Sequence, residues 1–196
     1  LLIILAISLG IIVWGYIPDR GEGGFTSHEK ELIRGADSIF RVLTVRDSLD
    51  RAVLRAPRTE LSPKTIKAEE FAELGRAMRT TVTHPSQDGV GLAAPQIGIN
   101  RRVVAVQRFD KPGEPFEVYP NIRLVWASDS LAYGPEGCLS VPDRREDVLR
   151  SQEIVIEYAL MQRPQWSVRD TVRGFTAVIF QHEIDHLDGV LYIDRL

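Results

Sequence analysis

Cysteine is nearly absent from this chain. A single residue, Cys138, among 196 excludes an internal disulfide framework and any zinc site built from several thiolates. There is also no marked excess of charge: 24 Lys and Arg stand against 27 Asp and Glu, a net charge of −3. No basic face that would track a nucleic-acid backbone follows from that balance, so no nucleic acid sequence recognition is expected. Fixed-period repeats and low-complexity runs are missing, which excludes solenoid and fibrous classes. With 44% hydrophobic residues the chain is not a disordered one, and its length fits one ordinary domain rather than two large ones.

The N-terminal stretch stands apart. Leu1 to Ile17 carries no charge, and Pro18-Asp19-Arg20 closes the run. As a helix it would span roughly 25 Å, the short end of a bilayer crossing, with Trp14 and Tyr16 where rings favour the membrane interface. The absence of an A-x-A-like cleavage site favours a signal anchor over a cleaved signal peptide; a buried core helix is the plainer alternative. Residues 1–18 are therefore read as an anchor-like or signal-like segment. Residues 19–40 are read as a linker and N-terminal region, with Gly21, Gly23 and Gly24 lowering helix tendency. Residues 41–196 remain as the folded domain.

Within that domain, Ala68 to Thr83 has helical spacing: Phe71, Leu74, Met78 and Val82 recur at intervals of three and four. His84 to Gly89 breaks it with turn residues. Arg102 to Gln107 and Glu153 to Tyr158 have strand composition. Phe175 to Leu187 returns to helical spacing, with Gly189 expected at its C-terminal cap. Helices mixed with strands, without regular βαβ alternation, predict an α+β fold rather than a doubly wound sheet.

The last helix carries the chemistry. His182-Glu183-Ile184-Asp185-His186 is an H-E-x-x-H sequence, which places two imidazoles one turn apart on one helix face, with Glu183 close to anything they hold. A catalytic site of this type needs a third protein ligand and an open fourth position. A metzincin protease would have histidine at position 192, where this chain has Tyr192. Only ten residues follow His186, and Asp188 and Asp194 are the carboxylates among them. The upstream candidates are His28, in the expected linker, His84, in a turn, and Cys138. Both histidines read as solvent-exposed, and a lone cysteine is more often a small buried hydrophobe than a ligand. The pentapeptide by itself is also compatible with a zinc endopeptidase.

Three segments extend the reading: Gly89-Val90-Gly91-Leu92-Ala93-Ala94-Pro95-Gln96, Glu136-Gly137-Cys138-Leu139-Ser140 and Gln181-His182-Glu183-Ile184-Asp185-His186. Together they resemble the three signature motifs of the peptide deformylase family, in order. The similarity runs from about Ala68 to Leu196 and takes in Val141-Pro142, Arg145, Arg150 and Asp194. The resemblance implies strands that are short and mostly antiparallel around a C-terminal metal-binding helix, with 41–196 as catalytic domain. It implies that Cys138, His182 and His186 hold one divalent metal ion, Fe2+ being expected natively and Zn2+, Ni2+ or Co2+ able to replace it. Glu183 would be the general acid–base. The Gln96 side-chain amide and the Leu139 backbone N–H would face the oxyanion, while backbone groups of Val90, Gly91 and Gly137, with Arg145, would bind an extended peptide.

The expected reaction removes the formyl group from N-formylmethionyl peptides or nascent chains and releases formate. The expected setting is bacterial, cytoplasmic or membrane-associated through residues 1–17, near the ribosome, with export the less expected arrangement. A zinc endopeptidase, and a binding module without catalysis, are the alternatives. Two departures from the family pattern stand out. Asp143 occupies a position often held by glycine, and Met161 to Asp170 lacks the usual Asp-x-x-Gly turn, so that hairpin is expected to be rebuilt.

Overall fold

The computed structural model describes residues 12–16, 23–35 and 39–196. In chain order the elements are β1 (Ile12–Tyr16), α1 (Ser27–Gly35), α2 (Ser48–Arg55), α3 (Pro63–Ile66), α4 (Glu69–Val82), β2 (Gly91–Ala93), β3 (Val103–Gln107), β4 (Phe116–Pro120), β5 (Arg123–Ala127), β6 (Leu131–Cys138), β7 (Val141–Ser151), β8 (Glu153–Leu160), β9 (Arg163–Arg173) and α5 (Gly174–Leu187). Short 3-10 turns cover Ala94–Ile97 and Tyr192–Arg195.

The strands form three sheets, ordered β1-β9-β8-β5, β2-β3-β4 and β6-β7, and every pairing between them is antiparallel. This is the expected α+β arrangement, although β7 and β9, at 11 residues each, are longer than the expected short strands. α5 is buried on nearly all sides, with Phe180 and Ile184 packed among Val104, Ile154, Ile156 and Val172. A helix apolar around most of its circumference belongs at the centre of a fold, and this one sits there. α4 closes the other core: Phe71, Leu74, Met78 and Val82 are all buried against Leu92, Ile97 and Val103. Glu69 and Glu70 in its first turn and Arg79 in its last complement the helix dipole.

Helix and strand boundaries lie close to those expected from spacing. Gly189 has φ 72°, the left-handed conformation that ends a helix, one residue beyond the Asp188 cap. The hairpin at 161–170 is rebuilt as a tight Met161-Gln162 turn, with Leu160 paired to Arg163 and a bulge that returns Ala159 to Ser167.

The N-terminal region differs more. Of the expected membrane helix, residues 1–11 and 17 lie outside the described residues; Ile12–Tyr16 is an edge strand antiparallel to β9. Among the described residues no helix is long and apolar enough to cross a membrane. Part of the expected linker is folded. Thr26 and Glu29 form a reciprocal capping box at the start of α1 (2.8 and 3.1 Å), and Phe25 and Ile33 join the α4 core. The glycine-rich composition that suggested a linker ends two residues before this helix begins.

Glu29 also meets Arg101 in a buried pair, Nη2 to Oε2 at 2.8 Å and Nε to Oε1 at 3.0 Å. Arg101 donates as well to Thr59 Oγ1 and to the Gly24 carbonyl (2.6 and 2.7 Å). Removing one partner of a buried pair leaves the other charge uncompensated. Glu29→Ala is expected to lower stability by about 3 kcal/mol in urea denaturation; a loss below about 1 kcal/mol would show that water reaches Arg101 in its place.

Candidate active site

β6 and α5 bring the sulfur and the two rings together. Cys138 is the last residue of β6, and the Leu139-Ser140 turn leads into β7. Cys138 Sγ lies 3.2 Å from His186 Nε2, and the ligand atoms of Cys138, His182 and His186 are all within 4.8 Å of one another. Metal–sulfur and metal–nitrogen bonds of about 2.3 and 2.0–2.1 Å at tetrahedral angles put ligand atoms roughly 3.5 Å apart, so the set is of the right size and donor type for one divalent ion. The fit has a second mark: Glu183 Oε2, in the residue after His182, is buried with no hydrogen-bond partner among the described residues. Asp188 and Asp194, the other carboxylates near the end of the chain, are committed elsewhere, to Arg102 (2.8 Å) and Arg55 (2.9 Å). His28 is exposed, and His84, half-buried, bonds Ser86 Oγ in its own turn (2.8 Å).

The ligand rings are held from behind. His182 Nδ1 bonds Glu136 Oε2 at 2.7 Å, which leaves Nε2 for the cluster. Arg150 spans Glu136 (2.7 and 3.0 Å) and Asp185 (2.6 Å). Burial alone would raise the Glu136 carboxyl; the hydrogen bonds from His182 and Arg150 outweigh it and bring the pKa down to about 2. Glu136 therefore stays an acceptor throughout the neutral range. This role was not read from the sequence. Glu136 is part of the second motif, but its pairing with a helix 46 residues later leaves no local trace.

Gln96 is fixed through both ends of its amide. Ala93 N–H donates to Oε1 at 2.8 Å, so the NH2 group must point the other way, to Ser140 Oγ at 3.2 Å and Cys138 Sγ at 3.6 Å. The amide donor thus sits beside the sulfur. Glu183 is buried, with 4% of its surface left exposed, and lies on the cavity wall. Burial is the largest influence on its carboxyl; His182 opposes the shift, Glu136 and Asp185 reinforce it, and the pKa rises to about 7. A Cβ on Gly91 would come within 2.9 Å of Glu183 Cγ and Cδ, so glycine there is what lets β2 lie against the carboxylate.

A cavity of about 810 Å³ opens over these groups. Gly89, Val90 and Gly91 form one wall and Gly137, Cys138 and Leu139 another, with Arg145 at the rim and Phe175, Val178 and Ile179 along α5. β2 pairs only with β3 and β6 only with β7 among the described strands, so both walls are sheet edges. The Val90 carbonyl already accepts Gln107 N–H at 2.9 Å, which leaves its N–H as the group it offers. The residues named from the sequence line this one cavity, except His186, which is buried behind Cys138 Sγ. The contributions of Ser140, Phe175, Val178 and Ile179 were not foreseen.

Gly91→Ala is expected to keep the far-UV circular dichroism spectrum and metal content of the parent while displacing the Glu183 carboxylate. Hydrolytic turnover should fall by about 10²-fold or more, and parental turnover would show that the carboxylate can move aside.

The polypeptide deformylase family model matches residues 40–196. The peptide deformylase of Phenylobacterium zucineum is 37% identical over 150 residues, covering 74% of this chain and 87% of that one. That of Leptospira biflexa serovar Patoc is 38% identical over 154 residues, covering 74% and 82%. Among solved structures, the K1U-bound class I type b peptide deformylase of Acinetobacter baumannii superposes with a TM-score of 0.73 at 32% identity, over 82% of this chain and all of that one. The same enzyme with Met-Ala-Ser bound gives 0.69 at 31% identity, over 81% and 98%. The peptide deformylase of Thermotoga maritima gives 0.69 at 31%, over 81% and 97%. With more than three-quarters of its length matched and the cluster assembled, this chain belongs to the peptide deformylase family, metal-dependent enzymes that remove the formyl group from the N-terminal methionine of new polypeptides.

Proposed function

We propose that Cys138, His182 and His186 hold a single divalent ion, natively ferrous iron, and that Glu183 and Gln96 work beside it on a formylmethionyl chain. The observation that carries this reading is the meeting of one sulfur and two ring nitrogens within 4.8 Å, next to a buried carboxylate whose Oε2 has no partner among the described residues. A thiolate and two imidazoles suit several ions of borderline softness, with zinc, nickel and cobalt able to stand in for iron. When bound, such an ion supplies Lewis acidity, lowering the pKa of water from 15.7 toward about 7 and polarising a carbonyl.

This chain's own residues do the rest. Glu183, with its pKa near 7, is poised both to take a proton at Oε2 and to give it to the departing amine. The Gln96 amide, locked by Ala93, would turn the N–H it now gives to the Cys138 sulfur at 3.6 Å toward the position where negative charge develops, and the Leu139 backbone N–H in the turn after Cys138 would do the same. Peptide main chain would lie between the open edges of β2 and β6, bonded by Val90, Gly91 and Gly137 in the manner of an added strand, with Arg145 at the rim. The methionine side chain would rest on Phe175, Val178 and Ile179, where a thioether gains from contact with an aromatic ring. The Met-Ala-Ser bound to the Acinetobacter relative supports a peptide of that kind here. Recognition through main chain makes the residues after methionine largely interchangeable. Activity beside the ribosome belongs to this proposal as well.

Two measurements test it. Glu183→Ala is expected to bind metal as the parent does and to lose at least 10²-fold in formate release from formyl-Met-Ala-Ser; retained turnover would overturn the role of the carboxylate. Protein purified without oxygen should contain iron and lose activity in air as the iron or thiolate oxidises. An enzyme that cleaves unformylated peptides, and does so after Cys138→Ala, would instead be an endopeptidase.

A further inference from the structure

The terminal turn, Tyr192–Arg195, reaches His182 along two routes, and neither belongs to the roles assigned above. The first is direct. Tyr192 is buried, and its ring stacks on the His182 imidazole with centroids 5.9 Å apart and 24° between planes. Its hydroxyl donates to the Arg144 carbonyl at 2.9 Å, so the ring is held at its far end and cannot swing off the imidazole. Position 192 thus bears on the metal site through a ring face rather than through a ligand atom.

The second route runs through charge. Arg195 Nε donates to Asp185 Oδ2 at 2.5 Å, and its Nη2 bonds Oδ1. Asp185 Oδ2 also accepts from Arg150 Nη1 at 2.6 Å, Arg150 grips Glu136, and Glu136 accepts from His182. The side chains of Glu136, Arg150 and Asp185 are 4, 3 and 9% exposed, whereas that of Arg195 is 44% exposed. Without Arg195 the buried row carries two carboxylates and one guanidinium. With it the signs alternate and balance, which is the condition for buried charges to hold fixed geometry.

We propose that the Tyr192–Arg195 turn is a positioning clamp for His182. Tyr192 sets the plane of the imidazole, and Arg195, through Asp185, Arg150 and Glu136, fixes the acceptor that holds its Nδ1–H. The proposal rests on the reading of His182 as a metal ligand. Tyr192 and Arg195 touch neither the ion nor the substrate; they are positioning residues. Partners behind a ligating histidine typically govern metal affinity by 10–100-fold, and the clamp places Tyr192 and Arg195 among them.

The test follows release of Co2+ from the loaded full chain to a chromogenic chelator, together with the visible Co2+ absorption bands. Arg195→Gln and Tyr192→Leu are expected to release cobalt about 10-fold faster or more and to shift the bands, while KM for formyl-Met-Ala-Ser stays within about twofold. Tyr192→Phe keeps the stacked ring and should release less than Tyr192→Leu. Glu29→Ala is the control: it breaks the buried Glu29–Arg101 pair and touches neither the Tyr192–Arg195 turn nor the Asp185 row. It should lower the thermal midpoint and leave cobalt release and the bands unchanged. Arg195→Gln releasing cobalt at the parental rate would overturn the proposal, and so would equal acceleration in Glu29→Ala, since the effect would then be loss of global stability alone. Cys138→Ser binding cobalt as tightly as the parent would overturn the ligand reading itself, a result separate from either.

Discussion

The structure depends on joining one hairpin to one helix at a fixed distance. Cys138 ends β6, His182 and His186 face it from α5, and the site exists only where these two elements meet. Apolar packing alone would not set that distance, because it is not directional. The buried row of Glu136, Arg150 and Asp185 is directional: Glu136 comes from β6, Arg150 from β7 and Asp185 from α5, so each bond crosses from one element to the next. Buried charges are tolerated only with their partners in place. A shift of the hairpin along the helix would strand at least one of them, and the register that satisfies them also delivers the sulfur to the rings.

How much of this was legible in the sequence follows from how local each signal is. α4 and α5 could be read because their buried residues recur every three or four positions, and the turn after α5 because glycine tolerates its positive φ. H-E-x-x-H was legible for the same reason, since its geometry is complete within one helical turn. Cys138 was not legible on spacing alone: it lies 44 residues before His182, and only similarity to a known family singled it out as the third member. Glu136, Arg150 and Asp185 all fall within the family match, but their pairing was not legible, because Arg150 and Asp185 are ordinary surface residue types until folding buries them. The N-terminal region misled for the opposite reason. Glycines at 21, 23 and 24 are a strong local signal for linker, but Phe25, Ile33 and the Glu29–Arg101 pair draw the following residues into the core.

The first motif shows why residue type can be readable while its cause is not. Gly91 was read as offering its backbone to an extended peptide. Its neighbour in the folded chain is the Glu183 carboxylate. The two motifs therefore constrain each other: β2 needs a residue without Cβ because α5 carries Glu183, and Glu183 is enclosed because β2 lies over it. That enclosure, more than any nearby charge, raises the carboxyl toward neutrality.

Enclosure and openness are in tension at such a site. Glu183 needs low dielectric to sit near pKa 7, yet a peptide must enter beside it. The sheet edges resolve this. β2 and β6 each give one edge to a protein strand and leave the other facing the cavity, so an entering chain would complete hydrogen bonds rather than break them. Its backbone would then take the place of water over Glu183, and the carboxylate would become more buried with substrate than without. On the proposed reading, the strand addition that would leave side chains after methionine unread would also help set the proton affinity of Glu183.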